Sequence, residues 1–520
     1  MSEEQNEKLV FRFLVLPNRS MKSGNTQFKY IYTMNTNAAL QPKIVFDCFA
    51  EVNKVPRSSK HEEKMIAFLQ DFGKKLGLET DTDATGNVVI RKPATTGFEN
   101  RKTVILQSHM DMVCEKNNDT AFDFDTQAIQ TYIDGDWMKA RGTTLGADDG
   151  IGVAMQMALL MSDDVEHGPI ECVFTVDEET GLTGAMGMQP GFMNGDYLIN
   201  LDSEDEGELF VSCAGGARTT AEFDVTEEKV PAGFLNFRID VKGLTGGHSG
   251  DDINKKRANA NKLLVRFLCD EMEKTDLRLV DIQSGGKHNA IPRDGYAIVA
   301  VPAEFKEQLR IDLNHYQADL EEEYSVTEPS LKMLLESAGA ADTAIESGVA
   351  ARILLACRAV HNGIMAMSQD LDWLVETSSN LASINKTEDG KVLINSSQRS
   401  SLGSRRDDMC ATVRATFQLA GAMVSTNEGY PGWKMNPHSE IVQIAAESYR
   451  RLFSKEPKIL AIHAGLECGL FSEKYPHLDM VSFGPTLRGV HSPEERLLIP
   501  TVDLVWQHLL DILKNIPVKS

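Results

Sequence analysis

Gly142-Thr-Thr-Leu-Gly-Ala-Asp-Asp-Gly-Ile-Gly152 sets two adjacent carboxylates, Asp148 and Asp149, among four glycines. Apolar residues follow at helical spacing (Ile151, Val153, Ala154, Met157, Ala158, Leu160, Met161), so the acids fall at the N-terminus of a predicted helix, where the macrodipole favours negative charge. Capping explains one acid, because Asp is a common N-cap residue. The second calls for a reason from elsewhere in the chain.

On either side of this stretch, short apolar runs end in polar residues. Thr103–Leu106 leads into His109-Met-Asp-Met112, Ile170–Val176 into Asp177-Glu-Glu-Thr-Gly181, and Tyr197–Leu201 into Asp202. Continuous runs of this kind are typical of strands buried on both faces. Alternation of such strands with helices indicates an α/β fold, in which ligands bind beyond the carboxyl ends of the strands. His109, Asp111, Glu178, Glu179 and Asp202 are therefore expected along one edge. Further upstream, Ser59-x-x-Glu62 reads as a capping box opening a helix with Met65, Ile66, Leu69, Phe72 and Leu76 on its apolar face.

Beyond Gly216 the texture changes. Strands are predicted at Phe234–Val241, Ala297–Val301 and, with a two-residue period, Val392–Ser396, and long helices near Asn259–Lys274 and Glu304–Tyr324. This mixture reads as an α+β domain inserted into the α/β domain and ending at the turn-rich Thr426–Trp433. The α/β pattern then resumes with a helix at Glu440–Phe453, strands at Ile459–Ile462 and Met480–Phe483, a loop bearing His491, and a closing helix at Thr501–Leu513. The expected organisation is an N-terminal, poorly ordered extension over 1–37, a first part of the α/β domain over 38–215, the insertion over 216–426 and a second part of the α/β domain over 427–520.

Composition narrows the class. A chain of 520 residues exceeds what one hydrophobic core usually serves, and 42% hydrophobic with 25% charged residues describes a globular protein. No apolar run approaches a membrane span. The patch Leu9–Leu16 is interrupted by Arg12 and is not read as a signal peptide. A formal charge of −23 argues against nucleic acid or an anionic membrane as partner. The nearest pair among the eight cysteines, Cys172 and Cys213, is 41 residues apart, which excludes C-x-x-C sites and suits free thiols in the cytoplasm.

Five strand-end or loop residues, His109, Asp148, Glu179, Asp202 and His491, combine imidazole and carboxylate ligands that suit zinc or a similar divalent ion. Five exceed the three protein ligands of one catalytic zinc, whereas two ions sharing one carboxylate fit the number. Glu178 is then the candidate general base, and Asp111 a candidate acceptor orienting the His109 ring.

Ten islands in order carry a resemblance over residues 40–517: R-K-P-A-T-T-G from Arg91, H-M-D-M-V, A-R-G-T-T-L-G-A-D-D-G-I-G, D-E-E-T-G, N-L-D-S-E, G-L-T-G-G-H-S-G, H-N-A-I-P-R, E-G-Y-P-G-W, H-A-G-L-E-C-G-L-F and G-V-H-S-P-E-E. The chain resembles the aminoacyl-histidine dipeptidases (peptidase D, Xaa-His dipeptidases) of the di-zinc exopeptidase family, which includes carnosinases and aminoacylases. The resemblance implies an α/β catalytic domain with a mixed, mostly parallel sheet, interrupted by an α+β lid and dimerisation domain. It implies two divalent ions, zinc with manganese or cobalt as alternatives. Asp148 would bridge them, His109 and Asp202 completing one ion, Glu179 and His491 the other.

The implied activity is hydrolysis of dipeptides with a free C-terminus, Xaa-His among them, by a metal-bridged hydroxide with Glu178 as base, Asp111 orienting His109 and a cis peptide at Asp148-Asp149. In the dipeptidase branch Asn often follows the bridging Asp; here it is Asp149, as in other branches. His248 would hold the scissile carbonyl oxygen, often reaching in from a dimer partner; Asn289 would bind substrate; Arg399 would pair with the terminal carboxylate; His463 and Glu467 would line the pocket. Alternatives are an N-acyl amino acid amidohydrolase using the same metals and a non-catalytic metal-binding interaction protein.

Overall fold

The computed structural model describes residues 40–369 and 371–519; the expected extension over 1–37 lies outside them. A mixed eight-stranded sheet has the order Glu79–Thr82, Val88–Lys92, Ile170–Thr175, Val104–His109, Tyr197–Asn200, Asp479–Ser482, Glu208–Cys213, Lys458–Ile462. Val104–His109 runs parallel to both neighbours, and Asp479–Ser482 parallel to Tyr197–Asn200. Every residue of 104–109, 170–175 and 197–200 is buried, which is why these strands are mostly apolar, with the polar positions Gln107, Thr175 and Asn200 toward their carboxyl ends.

Helix Ala147–Met161 lies between this sheet and helix Lys43–Val52. All its residues except Asp148 and Met161 are buried, so apolar side chains surround it on every face, with Asp149 and Gln156 as its buried polar residues. Among the described residues, no helix is long and apolar enough to cross a membrane.

A second, antiparallel sheet is built from strands between Gly215 and Thr426: Lys332–Ser337, Phe234–Lys242, Gly295–Pro302, Arg278–Gly285, Val375–Lys386, Lys391–Ser400, Gly215–Asp224 and Met423–Thr426, with Gly363–Met367 beside Val375–Lys386. Helices Ala260–Thr275, Ser347–Ala359 and Gly403–Leu419 pack on it. The two connections between the sheets run side by side. Cys213 and Trp433 exchange N–H···O bonds of 3.0 Å, and Gly216 and Tyr430 bonds of 3.0 and 2.9 Å. Gly215 is required there, because a Cβ would stand 2.6 Å from the Gly432 nitrogen.

The capping box at Ser59 is not formed. Helix Glu63–Lys75 has Glu62 as N-cap without a side-chain cap bond, and the Ser59 hydroxyl donates to Asp111 Oδ2 at 2.7 Å instead. Glu62 Oε1 accepts the N–H groups of Lys60 and Asp177. Both box residues are thus directed to the polar edge of the sheet.

Candidate metal centre

The carboxyl ends of the parallel strands deliver the expected residues to one place. His109 closes its strand, Glu178 and Glu179 open a single helical turn after Ile170–Thr175, and Asp202 follows Tyr197–Asn200. Asp148 stands between two groups. Its Oδ1 is 3.0 Å from His109 Nε2, which is also 3.3 Å from Asp202 Oδ1. Its Oδ2 is 3.1 Å from His491 Nε2, which is 2.9 Å from Glu179 Oε2. Within each triad the nearest donor atoms lie within 4.8 Å of one another. The peptide Asp148-Asp149 is cis.

Two imidazoles, three carboxylates and a buried Glu179 Oε1 with no hydrogen-bond partner make a donor set suited to divalent cations. Asp111 ties the set together: its Oδ1 is 3.3 Å from His109 Nδ1, and its carboxylate accepts the N–H groups of Glu178 and Glu179 at 3.1 and 3.3 Å.

Burial opposes the charged form of His109, but Asp202, Asp111 and Asp148 outweigh it and hold its pKa well above the usual value. His491 is pushed up to about 11 against burial by Asp148 and Glu179. Burial, with Asp202 and Glu179 adding to it against His109, raises Glu178 well above the ordinary carboxylate range, in the direction a general base at neutral pH requires.

Two buried residues without a role in the sequence reading hold the loop that carries Asp148. Glu495, four residues after His491, accepts the N–H groups of Leu145, Gly146, Ala147 and Asp148 at 2.7, 3.0, 2.8 and 3.3 Å. Arg57 donates to the carbonyls of Met110, Asp111 and Gly146. Gly146 has φ +66°, and a Cβ there would meet Arg57 Nη2 at 2.5 Å.

Beside the triads lies a cavity of about 360 Å³ whose lining includes Glu178, Glu179, His491, His248, Asn289 and Arg399. The short strand pair Gly247–His248 and Ala290–Ile291 brings His248 next to Asn289. Arg399 donates to Tyr430 Oη at 2.9 Å and lies 3.2 Å from His248 Nε2. His248 reaches this cavity from the same chain. The expectation that His463 and Glu467 line it is corrected. His463 is buried with Nε2 2.7 Å from Ser378 Oγ. Glu467 is fully buried beneath the centre, accepting from Gln107 Nε2 and Thr175 Oγ1 at 2.5 and 2.7 Å. Gln107 in turn accepts from Asn200 Nδ2 at 2.7 Å, continuing a polar layer across the strands.

A family profile described as peptidase family M20/M25/M40 matches residues 105–515. The cytosol non-specific dipeptidase of Escherichia coli (strain K12) is 44% identical over 486 residues, 94% of this chain and 100% of that protein. Among solved structures, aminoacylhistidine dipeptidase from Vibrio alginolyticus superposes with a TM-score of 0.82 at 43% identity, covering 93% of this chain and 98% of that one. A tripeptidase from Staphylococcus aureus superposes with a TM-score of 0.54 at 16% identity, over 92% of this chain and 99% of that one, a likeness of fold alone.

Proposed function

This chain belongs to peptidase family M20/M25/M40, and from that premise we propose that it is a two-metal dipeptidase cleaving short peptides with a free C-terminus, Xaa-His dipeptides among them. One observation carries the reading: the two oxygens of Asp148 are divided between a His109–Asp202 group and a His491–Glu179 group, with Glu178 alongside. His109, Asp148 and Asp202 would hold one ion and Asp148, Glu179 and His491 the other, zinc suiting the donors and manganese or cobalt acceptable.

Bound ions supply Lewis acidity toward a carbonyl and acidify water at neutral pH. The remaining work falls to the chain. Glu178 takes the proton of the attacking water and passes it to the departing amine. Asp111 fixes the His109 ring. His248 and Asn289 hold the scissile carbonyl and the adjacent backbone, and the Arg399 fork pairs with the terminal carboxylate. The cytoplasm is the proposed compartment, supported by eight free cysteines and by the cytosolic relative. A homodimer through the lid would not be needed to complete the cavity, since His248 enters it in cis.

The test is metal analysis together with hydrolysis of Xaa-His and other dipeptides against N-acetyl amino acids, on the wild type and Glu178→Ala. Retained metal with activity reduced about 10²- to 10⁴-fold is expected of the variant. Full activity in Glu178→Ala would end the assignment of the base. Turnover of N-acetyl substrates alone would favour an amidohydrolase.

A further inference from the structure

The cavity beside the triads continues into a second lobe of about 250 Å³, with which it shares Arg399, His288 and Tyr430. This lobe is also lined by Arg218 and by no Asp or Glu. In a chain of formal charge −23, a wall bearing two guanidinium groups and no carboxylate is selective for anions.

The sheet explains the pairing. Arg399 lies opposite Gly216, and Arg218 opposite Ser397, on the antiparallel strands Lys391–Ser400 and Gly215–Asp224. Directly opposed residues share a face, as do residues two apart, so Arg218 and Arg399 are diagonal neighbours on one face, with Cβ atoms roughly 7 Å apart. Gly216 and Ser397, the other two corners, have no long side chain to fill the space between them. Arg399 is already engaged with Tyr430 and His248. The Arg218 guanidinium has no hydrogen bond or ion pair with any described residue, whereas the residue's backbone N–H donates to Asn427 Oδ1 and its carbonyl accepts from the Asn427 N–H. His288 stands close to both arginines, which add to burial in disfavouring its charged form. It can therefore accept or donate a hydrogen bond without adding charge.

We propose, on the dipeptidase reading above, that this lobe is a side-chain subsite in which Arg218 selects dipeptides whose C-terminal residue is aspartate or glutamate. In such a residue the α-carbon and one or two methylene groups separate two carboxylates. The terminal carboxylate goes to Arg399 and the side-chain carboxylate to Arg218, two fork-shaped donors held at neighbouring positions of one sheet face.

The experiment compares kcat/KM of the metal-loaded enzyme for Ala-Glu against the uncharged isostere Ala-Gln, and for Ala-Asp against Ala-Asn. Each ratio is taken within one variant, so general losses cancel. The wild type should favour the acidic member about five-fold, as befits a partly exposed ion pair. Arg218→Ala should bring the ratio to about one, Arg218→Lys should keep part of it, and Arg218→Glu should invert it.

A wild-type ratio of one, or an undiminished ratio in Arg218→Ala, overturns the subsite while leaving the dipeptidase reading intact if Ala-Gln is turned over. Calorimetric binding of the product amino acids L-glutamate and L-glutamine gives a readout without turnover. Preference for L-glutamate that is lost in Arg218→Ala supports the subsite, even if no dipeptide is cleaved and the dipeptidase reading falls. Equal binding of the two amino acids overturns it.

Discussion

The residues around Asp148 show how a single proposed ligand position can depend on groups outside the proposed ligand set. Glu495 accepts four consecutive N–H groups of the loop before Asp148, and Arg57 takes that loop's Gly146 carbonyl. Glu495→Gln keeps the shape but replaces one acceptor oxygen with a donor facing backbone N–H groups. Its metal affinity should fall about 10- to 100-fold in chelator competition, as for other partners that orient ligands. Arg399→Lys exchanges a planar fork for a point charge and breaks the hydrogen bond to Tyr430. The expected result is KM raised about ten-fold or more at unchanged metal content, read from steady-state kinetics and metal analysis. The proposed ligands were legible because side-chain types at strand ends signal their own chemistry. Arg57 and Glu495 were not, although Glu495 lies in the same island as His491, because their partners are backbone atoms that leave no pattern in sequence.

At the scale of elements, the parallel strands and the helices at 440–453 and 499–514 follow from apolar runs and helical spacing. Strand Val375–Lys386 escaped notice because its buried positions beside the cavity are polar: Thr377, Ser378, Ser379 and Asn380 bond to Ser400, His463, Gln398 and the Ala290 carbonyl. Hydrophobic periodicity fails where an element serves a site. The closing helix Ile499–Lys514 supports a pH prediction. His508 Nε2–H donates to Ala445 O at 2.8 Å, and its ring packs on Tyr449 and Phe483. Burial pushes its pKa down to about 4, the bond to Ala445 opposing. Unfolded, it titrates near 6.5, so the stabilisation is complete above about pH 6.5 and lost as pH falls toward 4, about 3 kcal/mol in all. His463, pushed down to about 3 by burial and Arg399, acts in the same direction. Thermal melts from pH 7 to 4.5 should show the decline, with a shallower slope in His508→Gln. An equal slope in the variant would contradict the assignment.

Taken whole, the molecule gathers Glu178, His491, His248 and Arg399 around one cavity from a single chain. Mixing His248→Ala chains with Glu178→Ala chains should therefore restore no activity. Recovery toward a quarter or more of wild-type turnover would mean that His248 acts across a subunit boundary. The order of the eight-stranded sheet has a different kind of consequence. Strand Asp479–Ser482 sits between Tyr197–Asn200 and Glu208–Cys213, yet it leaves the ribosome about 270 residues after them. At about 5 to 20 residues per second, the nascent sheet waits roughly 13 to 54 s with that slot vacant, and Glu208–Cys213, whose other neighbour Lys458–Ile462 is also made late, has neither edge paired. His491 and Glu495 arrive later still. Slow translation across the inserted segment thus lengthens the exposure of a half-zipped sheet, and the hazard in making this protein is set by time on the ribosome as well as by the stability of the finished fold.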